Sequence, residues 1–285
     1  MNKKEEMHKI LGRSEIQALV DIDKNLKINK RILITGANGS IGSRLMERFE
    51  KMGVDFLPTD IEGGLTYMDV TDIESVKNVL SKYNPDVIIN IAGEKHAPDG
   101  EVETWKTLSV NTIGTKNLID YSAPGTKIIL TSTCKSCNPE TVYGASKLIS
   151  ERMVLNVGGS IARFFNVIET QGNVFEIWED VELTDPIKVT LCRRHFISLE
   201  EATGLLIYIS STDEMGRYIV NSPILREMTD ISNGLYPDRE KVIIQPRRGD
   251  RVDEKFLSTN ENIEKYVYIE SIIKIKNTHD KYIQA

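Results

Sequence analysis

The segment RILITGANGSIG, residues 31–42, joins an apolar run to three glycines, Gly36, Gly39 and Gly42. It predicts a buried strand, a tight turn and an amphipathic helix that ends at Gly53. Glycines at this spacing let the backbone approach a pyrophosphate, and the helix N-terminus attracts its negative charge. The segment therefore indicates a dinucleotide-binding unit; a glycine-rich turn with only a structural role is the alternative.

The alternation of strand and helix continues through the first half of the chain. Further strands are predicted at residues 54–60, 86–93 and 126–133, and helices at residues 73–83, 102–122 and 142–156. This alternation favours right-handed βαβ units and a parallel sheet with helices on both faces. The predicted fold class is α/β, a Rossmann-type doubly wound parallel sheet with a smaller mixed α/β substrate-binding region on its C-terminal side.

Three regions are predicted from this pattern. Residues 1–29 form a helical N-terminal extension, and residues 30–165 form an NAD(P)-binding Rossmann domain with a return segment near residues 190–220. Residues 166–285 belong mainly to the substrate-binding region. Because such sheets bind ligands at the carboxyl ends of their strands, the site is expected there.

Composition excludes several functional classes. Hydrophobic residues make up 40% of the 285 residues, and the net charge of −6 is spread along the chain, so neither nucleic acid nor an anionic membrane is expected as a partner. No apolar run approaches the ~20 residues of a membrane span and the start lacks an apolar h-region, which predicts a cytoplasmic location. Three cysteines predict no disulfide framework.

Two acidic residues are candidates for the adenosine end of the dinucleotide. Asp60 ends the second strand, where a carboxylate accepts hydrogen bonds from the ribose and repels a 2′-phosphate. Asp69 is a candidate for the adenine amino group, with a strand-end cap as the alternative. Residues 90–93 are expected to line the nicotinamide side. The expected cofactor-binding residues are Gly36, Asn38, Gly39, Ser40, Ile41, Gly42, Asp60, Asp69, Val70, Ala92, Gly93, Asn111, Tyr143 and Lys147.

A second motif lies in STCKSCNPETVYGASK, residues 132–147. Tyr143 and Lys147 are four positions apart on a predicted helix and share one face. A tyrosinate base needs its pKa, ordinarily about 10, to be lowered, and the Lys147 ammonium and an oxidised nicotinamide are expected to lower it. Thr133 is placed to hydrogen-bond the hydroxyl that is oxidised, and Asn111 to hold the lysine through a water.

Together these motifs resemble the extended short-chain dehydrogenase/reductases. The segments ILGRSEI, ARFFNV with QGNV, and RRGDRVDEKFL are similar to segments of the CapD-like branch, whose members are nucleotide-sugar dehydratases of polysaccharide and flagellin-glycan biosynthesis. The match covers nearly all of residues 10–257 and lacks the membrane-spanning half of the longer members. It implies UDP-N-acetylglucosamine (UDP-GlcNAc) or a close UDP-N-acetylhexosamine as substrate, and a homo-oligomer.

The resemblance also implies a dehydration with internal redox chemistry. Tyr143 removes the proton of the C4 hydroxyl while hydride passes from C4 to the cofactor, a base removes the C5 proton, and water leaves from C6. Substrate contacts are implied for Asn166, Asn173 and Val174, with Lys95 and His96 in the same expected set. The basic candidates for the diphosphate are Arg163, Arg194, Arg247 and Arg251, of which Arg194 and Arg247 match family positions.

The sequence departs from the branch just before the tyrosine. The branch usually reads STDKAANP where this chain reads STCKSCNP, so Cys134 replaces an aspartate assigned as the acid for loss of the C6 hydroxyl. Lys135 inherits the C5 base role only if its pKa, about 10.4 in water, is lowered. Glu94 is an alternative proton source, or simply a solvent-facing carboxylate.

The change at Cys134 bears on the product. A thiol is a weaker acid than a carboxylic acid. We therefore predict hydride return to C4, which gives UDP-6-deoxy-GlcNAc-5,6-ene, over return to C6, which gives a 4-keto-6-deoxy sugar.

Other chemistry for the cysteines is weighed against this. Cys134 and Cys137 have C-x-x-C spacing, but a redox pair of this type normally opens a helix in a thioredoxin-like unit. Zinc would need two more ligands, and Cys192, His96 and His195 show no finger-like spacing, so no metal is predicted. His195 is interpreted as a packing residue.

Two further functions stay open. A C4 epimerase of UDP-hexoses would need Tyr143 and Lys147 but no C5 base. A non-catalytic NAD(P)-binding regulatory protein would need neither the tyrosine–lysine pair nor a C5 base. The choice of cofactor also stays open, because Asp60 favours NAD while CapD-like dehydratases more often use NADP. Thr59 could serve a 2′-phosphate if the carboxylate turned away, so NADP is predicted first and NAD second. Pseudaminic-acid synthesis for flagellin is one setting implied by the resemblance.

Overall fold

A computed structural model of the chain describes residues 3–11, 16–221, 224–246 and 251–278. The described strands are β1 (Ile32–Thr35), β2 (Phe56–Asp60), β3 (Thr66–Tyr67), β4 (Val87–Asn90), β5 (Lys127–Thr133), β6 (Ser160–Phe164), β7 (Asn166–Val167), β8 (Ile187–Thr190), β9 (Arg193–Ile197), β10 (Gly216–Val220), β11 (Leu225–Glu227), β12 (Lys241–Ile244), β13 (Glu261–Val267) and β14 (Ile272–Asn277).

The helices alternate with the strands over much of the chain. The described α-helices are α1 (Lys3–Ile10), α2 (Gln17–Val20), α3 (Ser40–Met52), α4 (Ile73–Tyr83), α5 (Ala97–Val102), α6 (Thr104–Leu108), α7 (Gly114–Tyr121), α8 (Val142–Asn156), α9 (Val174–Asp180), α10 (Leu199–Ser211) and α11 (Met228–Leu235). Short 3-10 helices occupy Ile22–Lys24 and Cys134–Ser136, and a π-helical turn occupies Ser109–Ile113.

The main sheet has nine strands in the order β13-β14-β10-β6-β5-β4-β1-β2-β3. The strands from β3 to β10 in this order are all parallel, and β14 and β13 extend the β10 edge antiparallel. The order β3-β2-β1-β4-β5-β6 is that of the doubly wound dinucleotide-binding sheet. The predicted Rossmann-type α/β fold is therefore confirmed.

Both faces of this sheet are buried against helices. Strand β1 has four buried residues, with Ile32 and Ile34 facing one core and Leu33 facing the other. Side chains of α3 and α10 fill the first core, and side chains of α4, α7 and α8 fill the second. A parallel sheet covered on both faces needs such continuous apolar strands, which explains why β1 and β4 do not alternate with polar residues.

A smaller region lies beyond the parallel strands. It contains a three-stranded sheet in the order β11-β9-β7, a parallel pair β12-β8, and helices α9 and α11. A third apolar cluster, including Phe175, Trp178 and Ile187, fills its interior. This region matches the mixed α/β character expected on the C-terminal side of the chain.

The C-terminal hairpin departs from the sequence-based regions. Residues 166–285 were assigned mainly to substrate binding, whereas β13 and β14 complete the main sheet. Ile272, Ile273 and Ile275 are buried in the first core, and the lysines between and beside them obscure this pattern in the sequence. The hairpin therefore belongs structurally to the Rossmann sheet.

A buried charge network joins this hairpin to the rest of the sheet. Arg163 on β6 pairs with Glu151 on α8 at 2.6 Å and with Glu261 on β13 at 2.8 Å, and all three side chains are at most 2% exposed. Arg217 on β10 adds its Nε 3.3 Å from Glu151. Burial opposes ionisation of Glu261, but the hydrogen bonds and charge of Arg163 lower the pKa of this carboxyl to about 2. The network therefore stays charged at neutral pH.

Replacement of Arg163 by methionine should destabilise the protein strongly. It leaves two buried carboxylates short of a partner, and breaking a buried pair in this way costs about 3–5 kcal/mol. Urea unfolding at pH 7 measures the loss of unfolding free energy. Lys265→Ala, which breaks an exposed pair with Glu214 at 2.9 Å, is the control and should cost at most about 1 kcal/mol. Equal effects of the two changes would contradict this interpretation.

Candidate active site

A cleft of about 680 Å³ opens at the carboxyl ends of the parallel strands. It contains the turn after β1, the ends of β2, β4 and β5, and the start of α8. Of the residues proposed from the sequence, the cleft is lined by Gly36, Asn38, Gly39, Ser40, Ile41, Asp60, Asp69, Val70, Ala92, Gly93, Glu94, Lys95, His96, Thr133, Lys135, Tyr143, Lys147 and Asn166. Widely separated segments of the sequence thus meet in one place.

The glycine turn is shaped for close backbone approach. Gly36 has φ +65°, and a Cβ there would lie 2.6 Å from the Ala92 nitrogen, while a Cβ on Gly42 would lie 2.6 Å from Ala37. Gly39 precedes α3 in an extended conformation with no side chain capping the helix. The first-turn amides of α3 are thus without a side-chain cap, and the turn fits a pyrophosphate.

The end of β2 places a carboxylate beside this turn. Asp60 accepts hydrogen bonds from the backbone N–H of Asn38 at 2.9 Å and of Ile61 at 2.7 Å. Thr59 is fully buried and its hydroxyl donates to the Ile34 carbonyl at 2.9 Å. The idea that Thr59 could serve a 2′-phosphate is therefore wrong, because its hydroxyl faces the sheet.

Asp69 has a local structural role at the edge of the same cleft. Its Oδ1 accepts hydrogen bonds from the N–H and the hydroxyl of Thr71, each at 2.8 Å. This is the turn-capping geometry given as the alternative to adenine binding. Since Asp69 also lines the cleft, the two interpretations are compatible.

The tyrosine and lysine of α8 face the cleft together. Lys147 donates to the Thr131 carbonyl at 3.1 Å, and burial, partly offset by Glu151, lowers the pKa of the Lys147 ammonium to about 8. Burial raises the pKa of the Tyr143 phenol, and the charge of Lys135 and a hydrogen bond with Thr133 oppose this only in part. In the protein alone, the expected lowering of the Tyr143 pKa by Lys147 is thus absent.

Asn111 lies buried in the π-helical turn, behind the cleft lining rather than in it. Its side chain accepts from the Glu94 N–H at 2.9 Å and donates to the Glu94 carbonyl and the Ser146 hydroxyl, both at 3.0 Å. A Cβ on Gly93 would lie 2.8 Å from Asn111 Oδ1 and 3.0 Å from Lys147 Nζ, so this glycine permits both approaches. The prediction of one continuous helix over residues 102–122 missed this turn, a feature often found at functional sites.

Glu94 forms an ion pair at the mouth of the cleft. Its carboxylate lies 3.1 Å from Lys106 Nζ on α6 and is 31% exposed. The side chain is therefore a paired rim carboxylate, intermediate between the two roles considered from the sequence.

Lys135 differs most from the sequence-based expectation. Its Nζ lies 3.1 Å from Glu254 and 3.3 Å from the Asn166 side-chain oxygen. Burial opposes the positive charge more than any other single influence, but Glu254, with smaller contributions from Cys134 and Tyr143, together raises the pKa of Lys135 above its ordinary value. The lowered pKa required for a resting base is therefore not found, and the ion pair favours the ammonium form.

Cys134 does not line the cleft. Its thiol is 2% exposed and borders a separate small cavity behind Lys135, together with Arg194 and Glu254. Burial, followed by the nearby Glu254 charge, raises the pKa of this thiol to about 12. Cys137 is also buried, and both cysteines are free thiols.

The proposed substrate residues fall into two groups. Asn166, Lys95 and His96 line the cleft, and the Lys95 ammonium donates to the Gln171 carbonyl at 2.7 Å. Asn173 instead caps α9, accepting from the Phe175 and Glu176 N–H groups, and Val174 packs against the third core. For these two residues the structure shows a folding role.

None of the three described candidate arginines lines the large cleft. Arg163 is buried in the charge network and is unavailable to a diphosphate. Arg194 and Arg251 border the small cavity behind Lys135, where Arg251 pairs with Glu140 at 3.0 Å. Arg247 lies outside the described residues.

Sequence reasoning missed Glu254 as a site residue. It lies in RRGDRVDEKFL, a segment used only for its resemblance, and its side chain is 5% exposed. A charged residue in an otherwise surface-like segment gave no signal of burial. His195, by contrast, packs between Phe165 and Phe256 as interpreted from the sequence.

Comparison with known proteins identifies the family. Residues 60–277 match the family described as polysaccharide biosynthesis protein. The chain belongs to this polysaccharide-biosynthesis family. Among the residues that the structure describes, no helix is both long and apolar enough to cross a membrane.

Two relatives within the polysaccharide-biosynthesis proteins show how the similarity is distributed. The capsular polysaccharide biosynthesis protein CapD of Staphylococcus aureus is 27% identical, over 97% of this chain and 53% of that protein. The chain thus spans about half the length of CapD. A UDP-N-acetylglucosamine 4,6-dehydratase (inverting) of Campylobacter jejuni is 28% identical, over 86% of this chain and 84% of that enzyme.

Solved structures share the fold at lower identity. Pen from Bacillus thuringiensis has a TM-score of 0.72 and 21% identity, covering 82% of this chain and 84% of that one. The UDP-glucose 4-epimerase of Thermus thermophilus, solved with NAD, has a TM-score of 0.68 and 17% identity, covering 80% and 90%. These likenesses support the Rossmann-type fold of this polysaccharide-biosynthesis protein.

Substitution of Gly36 by alanine should abolish dinucleotide binding. The new Cβ would collide with Ala92, and the left-handed backbone conformation adds about 1–2 kcal/mol of strain. Gly53→Ala is the control, since Gly53 has φ +67° with nothing within 4 Å of the added atom. Calorimetric titration with NAD and NADP should show loss of binding only for Gly36→Ala. Binding that survives in Gly36→Ala would show that the turn can shift.

Proposed function

We propose that this chain is a nicotinamide-dependent dehydratase of UDP-GlcNAc or a close UDP-N-acetylhexosamine. The observation that carries the proposal is the convergence, in one cleft, of the glycine turn, the Tyr143 and Lys147 pair, and a further lysine, Lys135. The similarity to a protein named as a UDP-N-acetylglucosamine 4,6-dehydratase over most of both chains supports the same chemistry.

The described residues fit a nicotinamide dinucleotide. The amides of the Gly36–Gly42 turn would bind the pyrophosphate, Asp60 the adenosine ribose, and residues 90–93 the nicotinamide side. When bound, the nicotinamide supplies a site that accepts hydride from the sugar and returns it. Its positive charge in the oxidised form would also favour the tyrosinate, offsetting the burial that raises the pKa of Tyr143.

The first half-reaction is assigned to three residues. Thr133 hydrogen-bonds the sugar C4 hydroxyl and Tyr143 takes its proton as the C4–H bond gives up hydride, leaving a C4 ketone. Lys147, fixed by Thr131, supplies positive charge beside the tyrosine. Because the pKa of Lys147 is about 8, we expect this positive charge to be lost progressively above that pH.

The second half-reaction is assigned to Lys135. The ketone acidifies the C5 proton, which the Lys135 amine removes, and the C6 hydroxyl leaves as water after gaining a proton. Hydride would then return either to C4, with the Tyr143 proton returning to the C4 oxygen, which gives the 5,6-ene, or to C6, with a proton delivered to C5, which gives the 4-keto-6-deoxy sugar. Cys134 has a raised pKa and lies outside the cleft, so it is a poor source of the C5 proton that only the second product needs, and this favours the 5,6-ene.

A C4 epimerase of UDP-hexoses is the second candidate. The Lys135–Glu254 ion pair favours it, because an ammonium is no base and epimerisation needs none at C5. A non-catalytic regulatory protein has less support, since Thr133, Tyr143 and Lys147 all line the cleft. Oligomerisation and a role in pseudaminic-acid synthesis stay predictions from resemblance.

The product formed from UDP-GlcNAc tests the function. Proton NMR should show exocyclic vinyl signals, with no net change in bound cofactor. A 6-methyl signal would support a dehydratase but contradict the 5,6-ene product, and a C4 epimer alone would favour the epimerase.

Lys135→Ala should abolish water loss but keep transient cofactor reduction, followed by absorbance at 340 nm. Tyr143→Phe, the matched control, should lose both.

The surroundings of Asp60 support NAD rather than the NADP placed first from the sequence. A 2′-phosphate would meet the Asp60 carboxylate and the nearby Glu62, and within the described ranges neither pairs with an Arg or Lys. Calorimetry should give a Kd for NAD at least about tenfold lower than for NADP, equivalent to about 1.4 kcal/mol. Asp60→Asn should narrow this ratio, and Glu264→Gln on β13, at the opposite edge of the main sheet from β2, should not. A preference for NADP in the unaltered protein would reject the proposal.

A further inference from the structure

Lys135 lies between two cavities. It lines the large cleft on one side and, on the other, a small cavity of about 30 Å³ that also contacts Cys134, Arg194 and Glu254. The Glu254 carboxylate forms one wall of the small cavity and lies 3.1 Å from Lys135 Nζ. The amine is therefore held from behind by a buried charge that does not line the cleft.

Glu254 is itself held by several independent donors. Its Oε2 accepts from the Asn166 side-chain amide at 2.8 Å and from the His195 N–H at 3.1 Å, and Arg194 Nε lies 3.5 Å from Oε1. Asn166 also accepts from Lys135 at 3.3 Å, so the amide bridges both members of the pair. A carboxylate with this many partners has one defined position.

The segment that carries Glu254 is fastened to β9. The Arg193 N–H donates to the Val252 carbonyl at 2.7 Å, and the Arg193 side chain pairs with Asp253 through two hydrogen bonds of 2.7 and 2.6 Å. The segment therefore inserts Glu254 from the smaller region behind Cys134 and Lys135.

We propose that Glu254 is a positioning residue for Lys135, which through this ion pair fixes the amine at the wall of the cleft and controls proton transfer by it. The catalytic consequence rests on the proposed function, in which Lys135 acts at C5 of the sugar. There the C5–H bond breaks as an N–H bond forms, and the electron pair enters the C4 carbonyl as an enolate. The pair itself does not depend on that assignment.

The direction of the effect follows from the titratable groups that face Lys135. These are the carboxylate of Glu254, the thiol of Cys134, the phenol of Tyr143 and the guanidinium of Arg194. Burial and Arg194 disfavour the ammonium, and Glu254 favours it most. Without the Glu254 charge, Lys135 loses its proton at lower pH, by about one to three units for an opposite charge at this distance.

Competitive acylation followed by mass spectrometry measures the protonation of Lys135 directly, without substrate. The midpoint of labelling should move down by at least about one pH unit in Glu254→Gln and much less in Glu254→Asp, which keeps the charge. Glu140→Gln removes a carboxylate from the same small cavity without a contact to Lys135 and should leave the midpoint unchanged. An unmoved midpoint in Glu254→Gln, or an equal shift in Glu140→Gln, overturns the proposal.

The pH dependence of kcat for water loss tests the catalytic consequence. In Glu254→Gln the acid limb should move in parallel with the labelling midpoint, while cofactor reduction in the first half-reaction stays intact. A purely structural role would lower the rate equally at every pH and would sink the proposal. Absence of any reaction with UDP-sugars would reject the proposed function instead, and the labelling experiment would still decide the role of Glu254.

Discussion

The buried carboxylate of Glu151 is the contact that joins helix α8 to residues 132–136, the strip that carries Thr133 and Lys135. It lies one helical turn after Lys147 on α8 and accepts hydrogen bonds from Ser132 at 2.6 Å and Ser136 at 2.7 Å, the residues on either side of Cys134 and Lys135. Arg163 and Arg217 neutralise it from β6 and β10. A charge at this depth is tolerated only when every oxygen is paired, so helix, strip and sheet must adopt one relative position. The geometry of the cleft is thus fixed from beneath by Glu151, Arg163 and Arg217, which do not line it.

The close approach of Gly36 and Ala92 sets the other side of the cleft. These residues follow β1 and β4, adjacent strands at the point where the strand order reverses, so the space above them is the crevice of a doubly wound sheet. No side chain can stand between the two turns, because a single Cβ on Gly36 already lies 2.6 Å from backbone. The ligand-binding space therefore depends on the absence of a side chain at Gly36 as much as on the residues that line it.

Much of the fold and part of the site follow from sequence patterns, for physical reasons. Buried parallel strands need apolar runs, and a pyrophosphate turn needs glycines. The sequence therefore predicts β1, β4, β5 and the Gly36–Gly42 turn. Long-range electrostatics has no such signature. Glu254 is 119 positions from Lys135, and nothing local shows that the two meet. Asn173 shows a role that the resemblance did not suggest: an asparagine before a helix caps its amides, and its substrate contact stays a prediction.

The two lysines of the cleft show why residue type alone does not assign chemistry. Lys147 donates to the Thr131 carbonyl and has the Glu151 carboxylate one turn away, so burial dominates and its pKa falls to about 8. Lys135 contacts a carboxylate directly, and its pKa rises. Groups whose environments separate their pKa values in this way divide the acid and base work of a site between them. Here Lys147, beside Tyr143, is the lysine closer to neutrality, and the environment of Lys135 favours its ammonium form. Under the proposed function, substrate binding would have to weaken the ion pair with Glu254 before the Lys135 amine could take a proton, so the pair would take part in the reaction as well as in the fold.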